Sequence, residues 1–199
     1  MKNFPRILWA ALLLLVPACS LPVDGLSPAE KESGSVYTEP PQNYYRGARV
    51  GIAPFDSPPY AEAAGKAAAD ALYRELLKRD FFRELVFYEN AGPPMRPARL
   101  KSFIRSRGLD LFITGRVRYY LEGGNFQASR VCEEVQALAV KQGEIAPVWQ
   151  ADACEQGDYR RARDYVLFST KGRPAPSCRQ LMRRLAGRFT AMFADSAGF

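Results

Sequence analysis

The chain has 199 residues, with 28 Lys and Arg against 21 Asp and Glu and a net charge of +7. Its 47% hydrophobic and 25% charged content is that of a folded globular protein, and its length makes one domain the default. Histidine is absent, which excludes Ser-His-Asp and Cys-His catalysis and every His-ligated metal site. No two of the four cysteines stand at CxxC spacing, so no metal, no cofactor and no catalytic constellation is expected. The basic excess is mild beside the concentrated patch that nucleic acid demands, and no nucleic-acid partner is expected.

At the N-terminus, Lys2 and Arg6 precede an apolar run over residues 7–16. Ten residues are about half of what crosses a bilayer, so the run reads as the core of a secretory leader. It ends in Val16-Pro17-Ala18-Cys19, which resembles the lipobox of bacterial lipoproteins. The resemblance implies cleavage before Cys19, acylation of that cysteine, and a mature net charge of +5 once Lys2 and Arg6 are gone. Ser20, rather than Asp, follows the cysteine. That implies the periplasmic face of the outer membrane, with the lipid anchor as the membrane contact. Residues 21–46 are rich in Pro and Ser without apolar periodicity and read as a tether. The expected organisation is a signal peptide over 1–18, the lipidated cysteine and tether over 19–47, and one globular domain over 48–199.

Within the domain, "RVGIAPF" (49–55) predicts a short buried strand that stops at Asp56-Ser57-Pro58-Pro59. The following segment places apolar residues at 64, 67, 68, 71, 72 and 76, a helical stripe rich in alanine. "ELVFYE" predicts a second strand and "RPARLKSFIRSRG" a shorter helix, with Leu100, Phe103 and Ile104 on one side and Gly108 at its end. "LDLFITGRVRYYLEGG" predicts a long strand with Leu111, Ile113, Val117, Tyr119 and Leu121 on one face. "FQASRVCEEVQALAV" and "APVWQADAC" predict a hairpin around "KQGE". Residues 155–177 give no clear pattern. The last helix, "SCRQLMRRLAGRFTAMFADS", turns Leu181, Leu185, Phe189, Met192 and Phe193 inward. The order β-α-β-α-β-β-β-α predicts an α/β (α+β) fold with a single mixed sheet of about five strands. Its early strands are parallel and its late strands antiparallel.

Several residues invite chemistry. Glu133 and Glu134 are adjacent on a strand and point to opposite faces. Asp56 follows one strand and Asp110 precedes another; Asp56 would lie at a carboxyl end of the sheet, or else simply cap a turn. Arg160, Arg161 and Arg163 form a short cluster. Arg179, Arg183, Arg184 and Arg188 line the outer face of the last helix, either as a solvated face or as a docking stripe for an anionic partner or lipid headgroups. With Cys19 acylated, Cys132, Cys154 and Cys178 remain in an oxidising compartment. A three-residue turn after Lys141 would pair Lys141 with Ile145, Leu138 with Val148, Ala137 with Trp149 and Glu134 with Asp152. It would also set Cys132 opposite Cys154, within disulfide reach. A Cys154–Cys178 bridge is the rival.

The opening Val50-x-Ile52-x-Pro54-Phe55, the Ala-rich helix and "GLDLFITGRV" together resemble the α/β domain shared by the TolB N-terminal domain, CsgG and LpoB. Residues 50–55, 61–82, 108–117 and 135–149 carry the likeness. It implies this fold and work in the bacterial envelope. Pore-forming members add hairpins with a clean apolar face, whereas Arg130, Glu133, Glu134, Gln136 and Asp152 put polar groups on both faces here. The expected function is a non-catalytic interaction or accessory module with an envelope protein partner, serving peptidoglycan synthesis or secretion and transport, with its oligomeric state open. A carboxylate hydrolase acting on cell-wall material through Asp56 and Asp110, or an oligomeric secretion-channel component, are the alternatives.

Overall fold

The computed structural model describes residues 35–38, 46–91, 95–141, 143–164 and 169–197. The chain divides into Met1–Glu30 and Lys31–Phe199, and every described residue belongs to the second unit. The expected leader, Cys19 and most of the tether lie outside the described residues.

The elements run β1 (Ser35–Thr38), β2 (Arg49–Ile52), a 3-10 turn (Pro59–Ala61), α1 (Ala64–Arg79), β3 (Glu84–Phe87), α2 (Pro97–Arg107), β4 (Leu111–Leu121), β5 (Ser129–Lys141), β6 (Glu144–Gly157), β7 (Arg163–Asp164), β8 (Ser169–Thr170) and α3 (Cys178–Ala197). Six strands form one sheet in the order β1-β6-β5-β4-β2-β3. β2 pairs in parallel with β3 and β4, and β4, β5, β6 and β1 pair antiparallel. The mixed α/β class expected from the sequence is the one observed, and the expected β-α-β-α-β-β-β-α order runs from β2 to α3, with β1 and the β7–β8 pair added to it.

Each helix is delimited by local chemistry. Pro97 occupies the first turn of α2, where its missing N–H costs nothing. Gly108 closes α2 at φ 59°, its N–H turned back to the carbonyls of Ile104 and Arg105. α1 and α3 pack on one face of the sheet. There Leu72, Leu76, Leu181, Leu185 and Phe189 meet Val50, Ile52, Leu111, Ile113, Val131 and Val135 in the larger core. α2 packs on the other face, where Leu100 and Ile104 meet Ala53, Phe112 and Leu138 in a smaller one.

Four local features depart from the sequence reading. Ser35–Thr38, placed in the tether, instead add a strand to the outer edge of β6, with Val36 opposite Ala151. Val36-Tyr37-Thr38 are strand-forming residue types, and pairing there covers an otherwise open edge. In β4 the register slips between Val117 and Tyr119. Tyr119 is therefore 41% exposed, while Tyr120 packs against the larger core. The expected one-face alternation fails after Val117 because a bulge shifts every later side chain to the other face. The β5–β6 turn is two residues, with Lys141 opposite Glu144 and Gly143 at φ 86°. A bulge between Ala137 and Leu138 then sets Leu138 opposite Pro147, not Val148, and restores Ala137 to Trp149. Finally, part of the unassigned 155–177 stretch extends β6 to Gly157 and forms the small β7–β8 pair.

At Gly65 the backbone of α1 presses against the end of β2. The Phe55 N–H donates to the Gly65 carbonyl at 3.1 Å, and a Cβ on Gly65 would sit 1.9 Å from the Phe55 oxygen. Gly187, inside α3, has nothing within 4 Å of such an atom. Gly187→Ala is therefore expected to stabilise the protein by about 0.5–1 kcal/mol through helix propensity. Gly65→Ala is expected to destabilise it, because backbone must move to admit the methyl. Urea denaturation of the two variants measures both signs.

Candidate functional site

α2 covers only one end of its face of the sheet. Beyond it, the outward positions of β5, namely Arg130, Cys132, Glu134 and Gln136, alternate with the buried Val131, Glu133 and Val135. This leaves a polar surface across β4, β5 and β6. Where it meets α2, a cavity of about 270 Å³ has Asp56, Arg116 and Glu134 on its polar side and Leu100 and Phe112 on its apolar side.

The cavity's charged groups all have partners. Asp56 bridges β4 through its backbone: its N–H donates to Gly115 O at 2.9 Å, and its carbonyl accepts from the Val117 N–H at 2.8 Å. Its carboxylate lies 3.4 Å from Arg116 Nε and accepts the Ser57 N–H at 3.1 Å. Glu134 Oε1 accepts from Gln136 Nε2 and Gln150 Nε2, both at 3.0 Å. These amides offset the unfavourable register of Glu134 opposite Asp152.

Asp110 is elsewhere. Its Oδ2 accepts the Arg49 N–H at 2.7 Å and its own N–H donates to Arg49 O at 2.9 Å, clamping the starts of β2 and β4. Asp56 follows β2 at the opposite end of that parallel pair, so the structure does not bring the two candidate carboxylates together on one bond.

Cys132 and Cys154 face each other in register and are bonded, with Cα atoms 4.0 Å apart. The rival partner, Cys178, is a free, fully buried thiol. Its Sγ–H donates to Leu121 O and its N–H to Glu122 Oε2, each at 3.0 Å. Burial, reinforced by Glu122, pushes this thiol up to about 12. Tyr120, which donates to the same carboxylate at 3.0 Å, is pushed up to about 12 for the same reasons. These groups lock the start of α3 onto the end of β4 and remain protonated, without thiolate character.

The four arginines of α3 do not form one stripe. Arg184 and Arg188 turn toward β6 and lie 3.6 and 3.5 Å from Glu155, and Arg188 also donates to Cys154 O at 3.0 Å. Arg179 and Arg183 face α1 and border a groove between the two helices. At 100° per residue, positions 179 and 183 share one side of a helix and 184 and 188 another. In the earlier cluster, Arg160 forms a backbone bridge with Arg173 and Arg161 donates to Tyr159 Oη at 3.0 Å; the Arg163 side chain lies outside the described residues.

Sequence reasoning placed Glu133 on the opposite face from Glu134 and missed its burial. It is 2% exposed and its Oε1 has no hydrogen-bond partner. Desolvation raises its carboxyl to about 8. The signal was present: an acid at the inward position of an otherwise apolar alternation. Among the described residues, no cluster of three His, Cys, Asp or Glu could hold a metal ion, and no helix is long and apolar enough to cross a membrane.

No protein-family model and no curated protein sequence matches the chain. Solved structures do. The PelC dodecamer from Paraburkholderia phytofirmans is similar at a TM-score of 0.53 and 16% identity, over 83% of this chain and 97% of that one. Lipoprotein GNA1162 from Neisseria meningitidis follows at 0.40 and 14%, over 75% and 99%. TolB from Acinetobacter baumannii is at 0.35 and 11%, over 83% of this chain and 31% of its own. The likeness to PelC is one of fold.

Two expectations follow. With the Glu133 carboxyl raised from about 4.5 to about 8, the folded state keeps a proton that the unfolded chain has lost across that window. Stability should therefore fall as pH rises from about 4.5 to 8, by about 1.4 kcal/mol per pH unit at most. Glu133→Gln should remove that slope, so that its stability advantage grows between pH 5 and 8 in denaturation series. Opening the Cys132–Cys154 bridge, whose partners are 22 residues apart, with a Cys132→Ser, Cys154→Ser pair should cost about 3 kcal/mol. In the folded variant Cys178 should stay unreactive to maleimide.

Proposed function

We propose that the chain is a lipid-anchored accessory module of a bacterial cell-envelope assembly, held by Cys19 at the periplasmic face of the outer membrane and non-catalytic. The observation that carries this reading is the state of the carboxylates on the open sheet face. Asp56 is spent on Arg116 and a turn, and Glu134 on two glutamine amides. Glu133, the carboxyl most strongly raised among the described residues, is sealed in the core. A general acid or base has to reach a substrate, whereas a satisfied polar sheet face suits recognition of another surface. The lipobox-like Val16-Pro17-Ala18-Cys19 supports the anchor.

A second reading concerns assembly. PelC, whose fold this chain shares, is described as a dodecamer, and this supports a homo-oligomer as the working form. Mass spectrometry of the mature protein and light scattering of the detergent-extracted full chain test both readings. An acylated N-terminal Cys19 in the outer-membrane fraction and a mass of many protomers are expected. An unmodified Cys19 would overturn the anchor, and a monomer the assembly.

A further inference from the structure

A groove runs between α1 and α3, and two of its arginines have no acidic partner among the described residues. It has a volume of about 750 Å³. Its floor is Ala63, just before α1, and Ala67 and Ala71 within it, at four-residue spacing, and one wall is Arg179 and Arg183 of α3. The charged residues that α1 contributes have partners: Arg74 pairs with Asp70 at 2.9 Å, Lys78 with Glu75, and Lys66 with Glu89. Arg179 and Arg183 are exposed, and no acidic partner for either is found among the described residues. The groove thus presents two uncompensated guanidinium groups one helical turn apart above a floor of methyl groups.

We propose that this groove docks an acidic amphipathic helix of a partner protein, with carboxylates at i and i+4 meeting Arg179 and Arg183. The spacing argues for a helix, because residues four apart on a helix lie about 5–6 Å from one another, as these arginines do on α3. Alanine every fourth residue removes the ridge that would hold a second backbone away, so a helix can lie in the groove. The lining residues run from 63, just before α1, to 78 within it, about 22 Å or four turns, which is a peptide-sized track. A lipid headgroup layer fits less well: it is flat, the groove is concave, and no aromatic or leucine lines it to enter an acyl layer. Guanidinium groups also favour the planar, two-point recognition of carboxylates.

The inference deepens the accessory-module reading and rests on it. The test is photo-crosslinking in the native cells, with a photoreactive amino acid at Ala67 in the full chain and mass-spectrometric mapping of the attached peptide. Acylation of Cys19 is scored in the same sample, so that loss of the anchor and loss of the docking register separately. The expected result is a crosslink to a helical segment bearing carboxylates at i and i+4. It should fall at least tenfold in Arg179→Glu, Arg183→Glu and return when those carboxylates are changed to arginine. Both arginines are exposed, and Arg179→Gln, Arg183→Gln serves as a milder second variant with the same expected direction. Crosslinks to lipid, to another copy of this chain or to a non-acidic segment would overturn the proposal. So would a crosslink indifferent to the arginine variants, or none at all.

Discussion

Trp149 and Phe193 meet edge to face with centroids 5.3 Å apart, and Phe82 meets the same Phe193 ring at 5.7 Å. This three-ring contact joins β6, the last turns of α3 and the segment after α1, parts of the chain well apart in sequence. Aromatic pairs of this geometry contribute about 0.5–1.5 kcal/mol beyond the area they bury. Their larger effect is positional. With α3 seated there, α1 and α3 together seal one face of the sheet, while α2 covers only one end of the other and leaves the rest of it to polar groups. The open polar face, the α1–α3 groove and the division of the four arginines all depend on that one-sided cover.

Two bulges keep the sheet compatible with it. The step after Val117 turns Tyr120 rather than Tyr119 into the core, where its hydroxyl reaches Glu122 and, through that carboxylate, the first residue of α3. The step at Val148 lets a two-residue turn coexist with the register that sets Trp149 inward and Cys132 opposite Cys154. Without the extra residue on β6, every side chain beyond the turn would change faces. The disulfide then holds this register in a region where the opposed pair Glu134 and Asp152 would by itself disfavour it.

The same packing gives the acidic residues places in the frame of the fold. Asp110 and Asp56 each serve a strand end, at opposite ends of the β2–β4 pair. Glu155 holds α3 to β6 through Arg184 and Arg188. Glu133 is held in the core with one oxygen unpaired, a cost borne by stability and met by keeping the proton.

Local pattern determined a good deal of this protein. The alanine stripe of α1, Gly108 at the end of α2, the inward Leu181, Leu185, Phe189 and Phe193 of α3 and, apart from the added β1, β7 and β8, the β-α-β-α-β-β-β-α order are all properties of neighbouring residues, and all are found. So is the opposition of Glu133 to Glu134, which follows from the two-residue repeat of a strand. What depends on elements distant in sequence was decided only in three dimensions. A bulge leaves almost no trace in composition, because it answers to the partner strand, so Tyr119 and the length of the β5–β6 turn were read wrongly. The strand at Ser35–Thr38 forms because β6 has an edge for it to cover, although its neighbours are tether-like. The α3 arginines divide because Glu155 lies on one side of the helix and α1 on the other, and the burial of Glu133 depends on which face the helices chose to cover. Periodicity tells which side chains share a face; only the packing tells what that face meets.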